Sequence, residues 1–225
     1  MARATPLGGA ALGRYPLGVP IGDIPLAGII NTLSGSYVTP ADYIADVFAW
    51  GQGGTGPSLA SSPIYSGGGA AAGYSRLLLP RGSSLSWLAS GPLLGAGPGN
   101  NGQQGSATTI TINGVVRSAS GGNAGTNTPA ARSTTAPGFQ IARYGGGSSE
   151  RGERGGEAFG EWGGGAGGFR DIFPGLTGGS GVSGSIGSGA QVVPDYGGGG
   201  GYMLGGSQYS TWAGAGRVLI LLYRI

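Results

Sequence analysis

Only a few stretches of the chain alternate apolar and polar residues, and those stretches predict its strands. Residues 107–112 read Ala-Thr-Thr-Ile-Thr-Ile, and Asn113-Gly114 follows before Val115-Val116. An Asn-Gly pair after an alternating run is the strongest short-range signal for a hairpin. Residues 84–89 place Leu85 and Trp87 on one face. Tyr74–Leu79 is a further strand, stopped by Pro80-Arg81-Gly82, and the two segments are expected to form a second hairpin. Residues 43–50, Tyr-Ile-Ala-Asp-Val-Phe-Ala-Trp, are aromatic and β-branched and end at Gly51. A short helix starting at Thr39, with Pro40 in its first turn, competes for this segment. The dense glycine that follows favours the strand. Phe139-Gln140-Ile141-Ala142 is another short strand. The segment from Ala213 to Ile225 is read as a nearly all-apolar terminal strand, so it must be covered on both faces or lie in a subunit interface. The simplest topology lays it beside residues 43–50. Trp50 and Trp87, on predicted strands, are expected in the core.

Between these strands the pattern gives way to glycine, which makes up 55 of 225 residues. Glycine is costly to order, because it loses more backbone freedom than any other residue. Disordered chains usually pair low hydrophobicity with high net charge. Here the apolar fraction is 39 % and the net charge only +3. Clusters at 145–147, 155–156, 163–165, 167–168, 178–179, 197–201 and 205–206 alternate with Phe159, Trp162, Phe169, Phe173, Tyr196 and Tyr202. Glycine runs can adopt the extended threefold helix of polyproline II, and parallel segments can then exchange backbone hydrogen bonds. An ordered glycine lattice is the expectation here; long mobile loops are the alternative. The predicted class is all-β: a small β-sandwich-like core with a polyglycine-type insert.

Residues 1–40 are a separate compositional unit, with Pro6-Leu7-Gly8, Pro16-Leu17-Gly18 and Pro25-Leu26-Ala27-Gly28 recurring. Proline and glycine disfavour regular structure. Yet Leu7, Leu12, Leu17, Val19, Ile21, Ile24 and Leu26 are too many apolar residues for a free linker. An extended arm is expected, laid on its own body or on a partner; a loop-rich cap is the alternative. Residues 41–225 form the glycine-rich β domain. Glycine and proline interrupt the opening residues too often for a secretory signal. No apolar run approaches membrane-spanning length.

Charge and chemistry narrow the function. The chain contains no histidine, cysteine or lysine. Disulfides, thiolate metal sites, Schiff bases and lysine phosphate loops are therefore ruled out. Its serines lack the usual histidine or lysine base. The pI of 9.4 comes from scattered arginines, without the concentrated basic face of a nucleic-acid domain. Carboxylates for glycoside hydrolysis would have to approach within about 5–10 Å. Glu157, Glu161 and Asp171 are the candidates, but Glu150, Arg151, Glu153 and Arg154 read more simply as a solvated alternating-charge face. Asp195 beside Tyr196 is either a metal or sugar ligand or a turn acid, and the turn is favoured. No cofactor is expected. The candidate recognition surface is aromatic: Trp162, Phe169, Tyr196, Tyr202, Tyr209 and Trp212. Such rings bury large area at low entropic cost. For most of them the competing role is to fill space in a glycine-rich core.

The succession of Val47 to Gly54, Gly73-Tyr74-Ser75-Arg76-Leu77-Leu78-Leu79-Pro80-Arg81-Gly82, Leu85-Ser86-Trp87-Leu88, Thr108 to Gly114, Ala119-Ser120-Gly121-Gly122, the glycine clusters and Gly216-Arg217-Val218-Leu219-Ile220 resembles a known family. It is similar to the glycine-rich domain of bacteriophage tail fibres, tail tips and related virion proteins, over about residues 43–225. The clusters are shorter than in the purest polyglycine adhesins, and the Glu150–Glu157 charged segment is a departure. The resemblance implies a non-catalytic structural or host-recognition module on the virion, often trimeric, with other virion proteins and a host glycan or protein as partners. Two functions stay open: attachment to the host at a tail tip, or a purely structural role as a decoration, collar or fibre-attachment component. A cellular glycine-rich matrix or spore-coat protein is a further alternative.

Overall fold

The computed structural model describes residues 26–61, 63–158, 163–173, 175–182, 185–186, 196–205 and 208–225. Among them the chain is all-β, with no helix. Its strands are β1 (Leu26–Ile30), β2 (Ser34–Val38), β3 (Tyr43–Trp50), β4 (Ser58–Leu59), β5 (Ala72–Leu79), β6 (Ser84–Leu88), β7 (Thr108–Ile112), β8 (Val115–Ala119), β9 (Ile141–Arg143), β10 (Ser185–Ile186), β11 (Met203–Leu204) and β12 (Arg217–Arg224). One antiparallel sheet has the order β1-β12-β3-β5-β9 and a second the order β2-β6-β7-β8. A short parallel sheet, β10-β11-β4, stands apart.

The two-sided apolar character of β12 sets the layering. Val218, Ile220 and Leu222 join Ala45, Val47 and Leu79 against Leu85, Trp87, Ile110 and Ile112 of the second sheet. Leu219, Leu221 and Tyr223 face the other way, with Ile44, Phe48, Trp50, Tyr74 and Phe169. The five-stranded sheet is therefore covered on both faces, and β3 is buried along its whole length. β12 lies beside β3 as its hydrophobicity predicts, from Arg217 opposite Trp50 to Arg224 opposite Tyr43. β6 and β7 bury alternate residues, the pattern of a sheet with one solvated face. The Asn113-Gly114 turn joins β7 to β8 with φ of 50° and 79°, the double positive φ of a type I′ turn.

The expected hairpin of residues 74–79 with 84–89 does not form. β5 belongs to the five-stranded sheet and β6 to the four-stranded one, so Pro80–Ser83 is a corner between layers. The Ser83 N–H donates to the Pro80 carbonyl, Gly82 takes φ +85°, and the buried Thr39 hydroxyl donates to Pro80 and accepts from Ser83. The turn is real; Leu79 and Leu85 meet in one core from opposite layers rather than across a ladder. The C-terminal end of the arm expected over residues 1–40 is extended and laid on the chain's own sheets. Leu26, at the start of β1, pairs with Tyr223, and β2 pairs with β6 along its length. Leu7, Leu12, Leu17, Val19, Ile21 and Ile24 lie outside the described residues.

At one end of both sheets the strands run on as glycine-rich segments. Trp50 faces Ala72 and Arg217, and Thr108 faces Ala119; beyond each, the ladder stops and the chain continues. Hydrogen bonding then changes period. In residues 65–71, the N–H groups of Tyr65, Gly68 and Ala71 donate to Thr126, Asn123 and Ser120. Those of Gly67 and Ala70 donate to Gly200 and Gly197, while Gly69 donates to Gly146. In residues 163–168, Gly163 and Ala166 donate to Val182 and Gly179, Gly164 and Gly167 to Gly67 and Ala70, and Gly165 and Gly168 to Glu150 and Glu153. Each segment thus turns every third residue toward the same neighbour and reaches three neighbours in all. A β-ladder repeats every second residue and reaches two.

Close approach explains the glycine. A Cβ on Gly67 would stand 2.0 Å from the Gly54 carbonyl oxygen, and one on Gly199 would stand 2.3 Å from that of Gly67. These obstacles are backbone atoms, so no rotamer change relieves them. Where side chains remain, they serve the same backbone. The Gln52 amide accepts from the Ser106 N–H and donates to the Gly91 carbonyl, and the Thr55 hydroxyl accepts from the Gln103 N–H.

Candidate functional site

The aromatic candidates separate into buried and exposed groups. Phe169 is fully buried, its ring centroid 5.5 Å from that of Phe48, 5.8 Å from Trp50 and 5.9 Å from Tyr74. The turn that follows returns Phe173 onto Phe48 edge-on at 5.0 Å. The Trp50 indole N–H reaches the Gly167 carbonyl at 2.9 Å, tying glycine segment 163–168 to the five-stranded sheet. Phe169 is a rivet between sheet and glycine segments, with no face left for a partner. Tyr202 is buried as well. Trp50 and Trp87 are in the core, as expected. Tyr196 and Tyr209 are exposed and Trp212 is half-buried; Trp162 lies outside the described residues. The exposed rings sit in different surroundings. Tyr196 stacks on Arg217, whereas Tyr209 flanks the turn at Gly97.

The charged segment links loops through ion pairs. Glu150 pairs with Arg132 at 2.8 Å, Glu153 with Arg143 at 2.9 Å, and Glu157 with Arg151 and Arg170. Arg143 also holds Asp171 at 2.8 Å. The Arg132 guanidinium lowers the Glu150 carboxyl below its ordinary range, helped by the Gly147 N–H. Glu157 and Asp171, weighed as catalytic acids, are thus both engaged by arginines. Glu161 and Asp195 lie outside the described residues. Among the described residues no group of three or more acidic side chains is placed to hold a metal ion.

A second charged feature escaped the sequence reading. Asp46 and Arg76 are buried directly opposite one another on β3 and β5. The pair is bidentate, with Nε–Oδ1 at 2.7 Å and Nη2–Oδ2 at 3.1 Å, and the Tyr74 hydroxyl donates to Oδ1 at 2.8 Å. Burial opposes the Arg76 charge, but Asp46 more than offsets it and raises its pKa. Burial, then the Asp46 charge, pushes the Tyr223 hydroxyl up to about 12. The signal was a lone acid among apolar residues in Tyr43–Trp50 with an arginine in Ala72–Leu79. Register alone makes them partners. Enclosed in this way, the pair pins β3 to β5 and has no route to a substrate.

The glycine segments end, away from the sheets, in a cluster of short turns. Ser58 N–H donates to the Asn100 carbonyl, Tyr65 to Thr126, Met203 to Pro57 and Gly205 to Leu59, so these turns are neighbours. Their exposed residues include Asn100, Asn101, Asn127, Thr128, Gln208 and Tyr209. Amides, hydroxyls, glycine and tyrosine on a rigid support are the composition of adaptable recognition loops. Sequence reasoning found Tyr209 here but not the amides, because pairing of the segments is what gathers them. No protein-family model matches the chain, and no curated protein is significantly similar to it.

Proposed function

We propose that this chain is a non-enzymatic virion protein of a bacteriophage, a tail- or fibre-associated component whose glycine-rich domain contributes to host attachment. In this reading a β-sandwich-like core carries an insert of polyproline II-type glycine helices, and that bundle is a stiff mount for the tip turns. One observation carries it: the repeat of three in the backbone hydrogen bonds of residues 65–71 and 163–168. Three residues per turn is the geometry of the polyglycine form, and it makes ordered material of a glycine-rich chain. Three of the stretches that carry the resemblance to phage tail domains, residues 47–54, 85–88 and 119–122, run from strands into this bundle. The segment before β1 would carry the docking contact with other virion proteins, and assembly as a homotrimer is expected. The receptor would be a host surface glycan or protein.

Binding of fluorescent intact protein to host cells tests the reading. Replacing Asn100, Asn101, Asn127 and Tyr209 together with serine should abolish binding while the melting temperature holds. Failure of the intact oligomer to bind any host surface would refute attachment.

The structural alternative has its own observation. Val38, Leu88 and Val116 stand exposed on the outer side of the four-stranded sheet, among Ser84, Ser86 and Thr109. A decoration or collar role would bury this face against another virion protein, and protection of it from solvent labelling in the particle would favour that role.

A further inference from the structure

A second site lies at the junction of the sheet with the glycine segments. A cavity of about 260 Å³ opens there, lined by Asn31, Thr32, Leu33, Tyr196 and Arg217 over a floor of Ala215 and Gly216. Arg217 begins β12 and is half-buried. Its guanidinium carbon lies 4.4 Å from the Tyr196 ring centroid and 5.5 Å from that of Trp50, and its Nε donates to the Asn31 side-chain oxygen at 3.2 Å. Among the described residues no carboxylate pairs with it, in contrast to the arginines of the 132–171 region. Burial lowers its pKa, opposed only by Tyr196. A guanidinium is a fork of donors shaped for a carboxylate, and desolvation beside aromatic rings strengthens its pull on an anion.

We propose that this pocket binds a carboxylate-bearing sugar unit, the carboxylate on the outer nitrogens of Arg217 and the sugar hydroxyls on Asn31 and Thr32. The lining suits one charge on a polar ring. Among the described residues Arg217 is the only cation lining the pocket, so a multiply charged phosphate would be left partly unpaired. Asn31 keeps its amide donors, and the Thr32 hydroxyl, which already accepts from the Trp87 indole at 3.0 Å, retains accepting capacity. Tyr196 remains 40 % exposed, leaving ring surface for a sugar to lie against. The site stands on its own residues and does not depend on the role of the tip turns.

Titration calorimetry of the full chain with glucuronic-acid oligosaccharides, their carboxyl-reduced glucose equivalents and an acidic tripeptide tests this. Binding of the acidic sugar alone is expected. Loss of a charge-assisted hydrogen-bonded contact should weaken it at least about tenfold in Arg217→Gln. Asn31→Asp is near-isosteric and supplies an internal carboxylate to Arg217, so it should give a similar loss even if Arg217→Gln disturbs folding. No binding of the acidic sugar, equal binding of the reduced sugar, unchanged affinity in Asn31→Asp, or equal binding of the peptide would each overturn the proposal.

Discussion

In the sheets each interior strand satisfies its backbone with two neighbours and fills the space between layers with side chains. In the glycine segments the stretches at 65–71 and 163–168 each use three neighbours, and at most glycine positions backbone atoms stand too close for a Cβ. β3 buries Ile44, Val47, Phe48 and Trp50, while Gly67 lies so near Gly54 that a single methyl group would collide with its carbonyl. The first region is held by apolar burial, the second by backbone hydrogen bonds made possible by the absence of Cβ atoms. Sensitivity to substitution should therefore run in opposite directions. Sheet positions should suffer when side chains are removed, glycine positions when one is added.

Truncating Asp46 to alanine leaves Arg76 buried without its carboxylate and should destabilise the fold by about 3–5 kcal/mol in urea denaturation. Replacing both partners by leucine should recover much of that loss, since a buried pair is often no better than apolar packing. A smaller effect is expected in the bundle. Gly199→Ala drives a methyl group onto the Gly67 backbone and should cost about 3 kcal/mol, the upper end for overpacking. Tyr223 sharpens the sheet side through pH. Its folded pKa stands above the free value, so the unfolded chain ionises first. Stability should be complete below pH 10 and fall from pH 10 toward 12. Tyr223→Phe should flatten that part of the decline in thermal melts at stepped pH. The smallest effect is expected at Gly91, where no heavy atom lies within 4 Å of an added Cβ and φ is not positive. Gly91→Ala should stabilise by about 0.4–1 kcal/mol, by restricting the unfolded chain. Equal losses at Gly91 and Gly199 would mean that glycine serves both places alike, and the contrast between the regions would fail.

What the sequence made legible follows the same division. Alternation located β7, the Asn-Gly pair fixed its hairpin, and the two-sided apolarity of β12 put it beside β3. Side chains carry such information. The corner at Pro80–Ser83 misled because a turn looks alike whether the chain returns to its own sheet or crosses to another. β2 hid in Ser-Gly-Ser-Tyr-Val, an edge strand with little apolar pattern, and was read as part of an arm. Among the glycine segments the partner of each N–H is set by register between stretches that share one residue type, so no pattern names it. Phe169 was seen as an aromatic between glycines, which describes a displayed ring and a buried rivet equally well. Asp46 and Arg76 became meaningful only once β3 and β5 were aligned.

Amide hydrogen exchange read residue by residue tests the central claim, that the glycine segments are as firmly hydrogen-bonded as the sheets. The amides of Gly54, Gly68, Gly164 and Gly199, which donate to Gly68, Asn123, Gly67 and Gly164, should be protected to a degree comparable with Val47 and Ile220. The amides of Gly91 and Gly99 should exchange quickly. Protection confined to the strands, with Gly54, Gly68, Gly164 and Gly199 exchanging as fast as Gly91, would contradict the account.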